Sequence, residues 1–148
     1  MGRTCRRRAM MAMTLYGYTD GASRGNPGPA ACAFLLRDQE GRLLSREALV
    51  LGTKTNNEAE YHAVIEALRK AGSFASRNVV IYSDSQLVVR QLRGEYQVRK
   101  LHLRELHRVA KDLERSFLSV EYRSVGRDDP WITMADRLCN EALDSANA

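Results

Sequence analysis

The sequence predicts an α/β domain in which helices cover both faces of a mixed five-stranded sheet. Two observations support this prediction. A length of 148 residues with 44% hydrophobic content matches one ordinary globular domain and leaves no room for a second core of similar size. Strand-like and helix-like segments alternate in the order β-β-β-α-β-α-α-β-α, and no linker interrupts them. The first three strands include a hairpin, so we expect a mixed sheet.

The strand segments are rich in β-branched and aromatic residues and are bounded by turn residues. They are predicted at 14–20, 30–37, 42–51, 78–83 and 118–125. A loop with three glycines and two prolines is predicted at 21–29, after the first strand. The tetrapeptide at 38–41 is typical of a hairpin turn between the second and third strands.

Helices are predicted at 56–71, 85–92, 100–116 and 133–145. The first of them has Asn56 or Asn57 as its expected N-cap and Gly72 as its stop signal. All four helices lie between or after strand segments. This arrangement fits helices that pack on the faces of a sheet.

The positive charge is concentrated at the amino terminus. The chain has 23 basic and 18 acidic residues, but four arginines and no acidic residue lie in the first 13 positions. The remainder therefore has 23 − 4 = 19 basic and 18 acidic residues, a net charge of +1. The high isoelectric point does not by itself indicate that the folded body binds nucleic acid.

Residues 1–13 are expected to form a basic, disordered extension of a folded domain at 14–148. Three alternatives stay open: translation that truly starts at Met13, a basic arm that contacts phosphates, and an organellar targeting segment. No apolar run approaches the roughly 20 residues needed to cross a bilayer. Three widely spaced cysteines (Cys5, Cys32 and Cys139) argue against a disulfide scaffold, so we expect a protein of the reducing cytoplasm.

Two acidic residues stand at the ends of predicted strands. Asp20 ends the first strand where the glycine-rich loop begins, and Asp84 follows the strand at 78–83. Ligand sites in α/β sheets tend to form at the carboxyl ends of strands. We therefore expect both carboxylates to belong to a ligand site.

Two further acidic residues are predicted to face the core. Glu60 shares a helix face with apolar residues four, seven, eight and eleven positions later. Asp136 has a similar relation to Cys139 and Leu143 in the last helix. An inward carboxylate costs several kcal/mol unless a cation or hydrogen bonds compensate it.

A cap, an arginine or solvent can satisfy any one of these acids separately. Four that meet at one edge of a sheet repel one another unless cations lie among them. Mg²⁺ suits an oxygen-only set of carboxylates. The three histidines (His62, His102 and His107) lack the spacing of a zinc site, so zinc is not expected.

Four segments together closely resemble type 1 ribonuclease H. They are YTDGASRGNPGPA at 18–30, TNNEAEY at 55–61, YSDSQLV at 82–88 and AD at 135–136. The resemblance extends over roughly residues 14–145, in order and in spacing. It is strongest to the compact bacterial and archaeal branch, because QLRGEY at 91–96 leads directly into the next helix without a basic protrusion.

The resemblance implies a ribonuclease H-like fold for the domain at 14–148. It also implies an endonuclease that cuts the RNA strand of RNA–DNA hybrids by a two-metal-ion mechanism and leaves 3′-hydroxyl and 5′-phosphate ends. The implied cofactor is Mg²⁺, two ions, with Mn²⁺ as a substitute. The implied metal ligands are Asp20, Glu60, Asp84 and Asp136. A monomer without membrane contacts is expected.

The resemblance also assigns contacts with the hybrid, whose wide minor groove displays the 2′-hydroxyls. The implied nucleic-acid-binding residues are Gly21, Ser23, Asn26, Asn56, Asn57, Ser85, Gln86, Arg93 and Lys100. Turn formation and helix capping are the alternative roles for the glycines and asparagines among them. Segment 88–111 has seven basic and two acidic residues, and it is expected either to steer phosphates or to form a solvated helix face.

One loop departs from the family pattern. The family usually places a mobile histidine, or an arginine followed by an asparagine, before the last acid. Here GRDDPWITM at 126–134 is longer and has Thr133 where that asparagine often stands. Arg127 is predicted to take the histidine's catalytic role in product release. Trp131 is expected to pack on the core or to anchor the loop.

Two other functions compete with hybrid cleavage. A module that binds hybrids or double-stranded RNA without cutting is disfavoured, because four carboxylates facing phosphate would weaken binding. A metal nuclease of the same fold that acts on DNA junctions or single strands is disfavoured by the segments at 26–29 and 56–57. The fold alone does not decide between them.

Overall fold

The computed structural model of the chain describes residues 13–75 and 77–146. Five strands and four α-helices form within these residues. In chain order they are β1 (Thr14–Ser23), β2 (Gly28–Arg37), β3 (Leu43–Lys54), α1 (Asn56–Ala71), β4 (Asn78–Ser83), α2 (Gln86–Leu92), α3 (Leu101–Leu113), β5 (Ser119–Ser124) and α4 (Pro130–Ala146). A 3₁₀ turn at Glu114–Ser116 follows α3.

The five strands form one mixed sheet in the order β3-β2-β1-β4-β5. Strands β1, β2 and β3 pair antiparallel, whereas β1, β4 and β5 run parallel. The pairing of β1 with β4 aligns Tyr18 with Tyr82 and Thr19 with Ser83. Because Thr19 is level with Ser83, the next residues, Asp20 of β1 and Asp84 directly after β4, lie side by side.

Helices cover both faces of the sheet, as predicted. Because side chains alternate between the faces of a strand, β2 contributes Phe34 and Leu36 to one core and Ala33 and Leu35 to the other. The first core is completed by α1, α2 and α3. The second is completed by α4, which contacts β1, β2 and β3.

The glycine-rich loop is shorter than predicted. Strand β1 continues to Ser23, because Gly21 and Ser23 pair with Cys32 and Ala30 of β2. Strand β2 already begins at Gly28, and β3 extends to Lys54. Residues 24–27 alone form the connection, so Asp20 lies within a strand rather than at its end.

The N-cap predicted for α1 was wrong. The cap is Thr55, whose hydroxyl accepts the N–H of Glu58 while the Glu58 carboxylate accepts the N–H of Thr55. This reciprocal capping box satisfies two backbone donors at once. Gly72 is the C-cap, as predicted, but in right-handed rather than left-handed conformation.

Two other helix boundaries differ from the prediction. Helix α3 ends at Leu113, before the 3₁₀ turn. Helix α4 begins at Pro130 rather than at residue 133, because the carboxylate of Asp129 accepts the N–H groups of Trp131 and Ile132. A proline fits the first helical position because its missing N–H has no partner to lose there.

The predicted basic extension at 1–13 lies outside the described residues except for Met13. Met13 packs against the first core, and its carbonyl accepts the N–H of Arg77. None of the helices formed by residues 13–75 and 77–146 has the length and apolar character needed to cross a membrane.

Candidate active site

Three carboxylates meet at the carboxyl edge of β1 and β4. Asp20 comes from β1, Asp84 directly follows β4, and Glu60 comes from the second turn of α1. One carboxylate oxygen from each lies within 4.8 Å of the other two. Asp20 and Glu60 are buried and Asp84 is partly buried.

Glu60 is held in this cluster by both central strands. Its Oε1 accepts the backbone N–H of Gly21 at 3.1 Å, and its Oε2 accepts the hydroxyl of Ser83 at 3.3 Å. The inward orientation predicted for Glu60 is therefore confirmed. The hydrogen bonds offset part of the cost of burying this carboxylate.

The close approach of α1 to β1 requires a glycine at position 21. A Cβ atom there would lie 2.2 Å from the carbonyl carbon of Ala59 and 2.4 Å from the backbone nitrogen of Glu60. Neither atom belongs to a side chain that can move aside. Gly21 thus allows the helix to bring Glu60 against the strand.

Burial and mutual repulsion raise the pKa of all three carboxyls. Burial, with the charges of Asp84 and Asp136, raises the pKa of Asp20 to about 8. Burial and the charges of Asp20 and Asp84 raise the pKa of Glu60 well above its usual value. Burial also raises the pKa of Asp84, against the opposing charge of Arg127. The cluster therefore disfavours full ionisation unless a cation joins it.

The inward orientation predicted for Asp136 was wrong. The buried stripe of α4 consists of Ile132, Ala135, Cys139 and Leu143, and the Asp136 side chain is exposed beside it. Asp136 nevertheless lines the same cleft, and its charge raises the pKa of both Asp20 and Asp84. It therefore lies at the cleft's solvent side, next to the other three acids.

The residues of the cluster fit a hard divalent cation. Oδ2 of Asp20 is buried and has no hydrogen-bond partner among the described residues, so an acceptor faces the cluster unsatisfied. The neighbouring atoms that could coordinate a metal ion are carboxylate oxygens, which Mg²⁺ and Mn²⁺ prefer as ligands. A cation would satisfy this oxygen and remove the repulsion that raises the carboxyl pKa values.

Arg127 provides a positive charge at the edge of the cluster. Its Nε lies 3.4 Å from Oδ2 of Asp84, and its side chain is 92% exposed. Its charge opposes the burial that raises the pKa of Asp84. Arg127, which the sequence predicts as a site residue, therefore lies in the cleft lining.

Most of the other predicted residues line one cleft of about 460 Å³ around these acids. Those in the lining are Gly21, Ser23, Asn56, Asn57 and Ser85. Gln86, Arg93 and Lys100 are exposed and do not line it. Arg93 instead donates from Nε to the carbonyl of Tyr122 at 2.7 Å.

Two of the predicted asparagines connect the β1–β2 loop to the start of α1. Oδ1 of Asn56 accepts the N–H of Ser23, and Oδ1 of Asn26 accepts the N–H of Asn56, each at 3.0 Å. With both oxygens occupied, the amide Nδ2 groups are left as donors. Structural and binding roles are thus compatible in the same side chains.

The basic segment at 88–111 is partly neutralised. Arg108 pairs with Glu105 and Asp112, and Lys111 pairs with Glu114 at 3.1 Å. Within the described part of the chain, Lys100 has no acidic partner. The charge available to an external anion is therefore smaller than the sequence count indicates.

Two groups near the cleft were not predicted to contribute. The hydroxyl of Ser83 donates to Oε2 of Glu60. Its position directly before Asp84 was the only feature of the sequence that could have indicated this role. Tyr18 stacks between Tyr82 and Trp131, with ring centroids 4.7 and 5.5 Å away. No local pattern in the sequence indicated this stack, since its three members come from distant segments.

Comparison with known proteins matches residues 18–142 to the family described as "Reverse transcriptase-like". Ribonuclease HI of Halobacterium salinarum is 39% identical over 89% of the chain. A bifunctional protein of Mycobacterium tuberculosis is 37% identical over 86% of the chain. The chain spans 65% and 35% of the lengths of these two relatives.

The fold has close counterparts among solved structures. A crystal structure of LC11-RNase H1 in complex with an RNA/DNA hybrid superposes with a TM-score of 0.85. The two chains are 32% identical, and the match covers 90% of this chain and 99% of that one.

Proposed function

Because this chain belongs to the type 1 ribonuclease H family, we propose that it is an endonuclease that hydrolyses the RNA strand of RNA–DNA hybrids. The observation that carries the proposal is the meeting of Asp20, Glu60 and Asp84 within 4.8 Å in an open cleft. Asp136 stands beside them. The proposed products have 3′-hydroxyl and 5′-phosphate ends.

The proposed cofactor is a pair of Mg²⁺ ions, with Mn²⁺ as a substitute. Asp20, Glu60 and Asp84 would hold them together with Asp136. When bound, such ions supply an activated water at neutral pH and stabilise the charge that develops on the leaving oxygen. The unsatisfied Oδ2 of Asp20 supports this assignment.

The chain's own residues keep the acids in place and neutralise them. Gly21 and Ser83 hold both oxygens of Glu60, so this ligand needs little reorganisation when a cation enters. Arg127 offsets the charge of Asp84 from the solvent side. An exposed arginine at this position suits the proposed role in product release, because it can approach a phosphate and leave with it.

The cleft and the residues around it support recognition of the hybrid. In the proposed complex, the Nδ2 donors of Asn26 and Asn56 face acceptors on sugars and base edges. Ser23, Asn57 and Ser85 of the cleft lining and the nearby Gln86 contribute further polar contacts. Lys100 and Arg93 contact phosphates of the DNA strand farther from the cluster. Contacts with 2′-hydroxyls in the wide minor groove would let the protein distinguish the RNA strand from the DNA strand.

We also propose a monomer in the cytoplasm. Cys32 and Cys139 are free thiols in the core, which suits a reducing compartment. Sedimentation of the full chain tests the oligomeric state.

Cleavage of a labelled RNA–DNA hybrid, beside all-DNA and all-RNA duplexes, tests the function. With Mg²⁺ or Mn²⁺, the wild-type protein should cut the hybrid and neither of the two duplexes. Asp20→Asn should bind the hybrid without cutting it. Glu66→Gln is the matched control, because Glu66 lies on α1 outside the cluster and pairs with Arg69.

Two results would contradict the proposal. Binding of the hybrid without cutting, with either metal, would indicate a binding module. Cutting of the DNA duplex would indicate a different metal nuclease on this fold.

A further inference from the structure

The loop between β5 and α4 carries Arg127, whose side chain is 92% exposed and lies 3.4 Å from Asp84. A side chain so exposed has little packing to hold it, so the position of its guanidinium depends largely on the backbone of residues 125–130. Backbone hydrogen bonds hold the start of this loop, where the N–H of Val125 donates to the carbonyl of Ser83 at 3.0 Å. The carbonyl of Arg127 itself accepts the hydroxyl of Thr133 at 3.1 Å.

The other end of the loop is held by an aromatic stack. Trp131, directly after the first residue of α4, lies 5.5 Å from Tyr18 between ring centroids, with the planes 23° apart. Tyr18 in turn stacks on Tyr82 at 4.7 Å and 10°. Tyr18 of β1 and Tyr82 of β4 lie two residues before Asp20 and Asp84, so the same two strands position the stack and these two carboxylates.

A cation reinforces the stack. The guanidinium carbon of Arg37 lies 5.6 Å from the centroid of Tyr18 and 5.9 Å from that of Trp131. Its Nη2 donates to the Tyr18 hydroxyl at 3.1 Å. Cation–π and offset-stacked contacts of this kind add to the energy of area burial alone.

We propose that Trp131, seated on Tyr18, is a positioning residue that holds Arg127 against Asp84. The inference deepens the proposed nuclease function and rests on it. Loss of the indole would free the loop, and Arg127 would leave Asp84. The two variants Trp131→Ala and Arg127→Ala should therefore produce the same functional change, and combining them should add nothing.

The first test measures kcat and KM on the hybrid. Misplacement of a catalytic side chain by about 1 Å costs up to about 100-fold in rate, so we expect Trp131→Ala to lower kcat at least about threefold, to the level of Arg127→Ala. KM should change less than kcat. Trp131→Phe should keep most of the rate, because it retains a ring for stacking.

A control separates positioning from simple loss of stability. Leu138 lies on α4 and packs against the same core as Trp131, away from the loop. Leu138→Ala should lower the Tm without lowering kcat at temperatures where the protein stays folded. An equal loss of kcat in Leu138→Ala and Trp131→Ala would overturn the proposal. It would also be overturned if the double variant Trp131→Ala/Arg127→Ala lost kcat by the product of the two single losses.

The second test does not need nuclease activity and uses calorimetric titration with Mn²⁺ alone. Arg127 neutralises Asp84, so its removal should strengthen Mn²⁺ binding, by up to about fivefold for so exposed a charge. Trp131→Ala should strengthen it equally, and the double variant no further. An unchanged affinity in Trp131→Ala, or in Arg127→Ala, would overturn the proposal. If wild type cut no hybrid, the proposed function would fail while this titration still decided the positioning role.

Discussion

The backbone N–H of Gly21 donates to Oε1 of Glu60 at 3.1 Å, joining the central strand to the helix that packs on it. This contact exists because position 21 has no Cβ. It places a buried carboxylate beside Asp20 without leaving both of its oxygens unpaired. The candidate active site therefore depends on backbone contact between β1 and α1 as well as on its acidic residues.

Gly21→Ala tests this dependence. The added methyl group would overlap the backbone of Ala59 and Glu60, so β1 and α1 must separate. We expect a loss of about 3 kcal/mol in the free energy of unfolding, at the upper end for overpacking, together with loss of hybrid cleavage. Urea unfolding measures the first and the cleavage assay the second.

Gly72→Ala is the matched control. Gly72 has a φ of −63°, and its nearest neighbour would be the carbonyl oxygen of Arg69, 3.4 Å from the new Cβ. Its stability should be unchanged or slightly higher. A Gly21→Ala protein as stable as Gly72→Ala would show that the strand and helix can separate at little cost.

The metal-free protein should lose stability as the pH rises. The folded chain keeps protons on Asp20, Glu60 and Asp84 that the unfolded chain releases near pH 4, because their folded pKa values are raised, that of Asp20 to about 8. Stability from these groups is present below pH 4 and is lost as the pH rises toward about 8. Thermal unfolding in EDTA between pH 5 and 8 measures the slope.

Asp20→Asn should reduce this slope and raise stability at pH 8. We expect a gain of at least about 1 kcal/mol, which is a rise in Tm of about 3 °C. Burial lowers the pKa of His62, which adds stability as the pH rises, but this effect is common to both proteins. If stability falls equally with pH in wild type and Asp20→Asn, the carboxyl of Asp20 does not have the raised pKa assigned to it here.

Divalent ions should stabilise the protein most at the upper end of this pH range. A tenfold excess over the dissociation constant adds about 1.4 kcal/mol to the free energy of unfolding. At pH 5 the gain should be smaller, because protons then compete for the carboxylates. Thermal unfolding with and without Mg²⁺ or Mn²⁺ measures it, and a gain in Asp20→Asn equal to that of wild type would place the ion elsewhere.

Lys100 and Arg108 should differ in their contribution to hybrid binding. Lys100 has no acidic partner among the described residues, whereas Arg108 pairs with Glu105 and Asp112. In an Asp20→Asn background, Lys100→Ala should weaken binding and reduce the salt slope by about 1, and Arg108→Ala should leave the slope unchanged. Filter binding at several salt concentrations distinguishes them, and equal slopes would place Lys100 outside the interface.

Much of the site could be predicted from sequence, because its signals are local. Asp20 and Asp84 belong to short segments whose strand character is evident. Glu60 is followed by apolar residues at helical spacing, which indicated its inward orientation. The capping box at Thr55 and Glu58 was equally local, although the prediction assigned the cap to the adjacent asparagines.

By itself, the amino-acid sequence determined the order of strands and helices and the inward orientation of Glu60, since side-chain periodicity fixes these within each element. Its motifs indicated the family. Only the tertiary structure decided that Asp136 is exposed, that Arg127 meets Asp84 and that Trp131 stacks on Tyr18. The first depends on how α4 packs on the sheet, which buries Ile132, Ala135, Cys139 and Leu143 and leaves Asp136 exposed beside them. The other two join residues 43 and 113 positions apart in the chain, and no local pattern encodes which distant side chains the packed sheet will bring into contact.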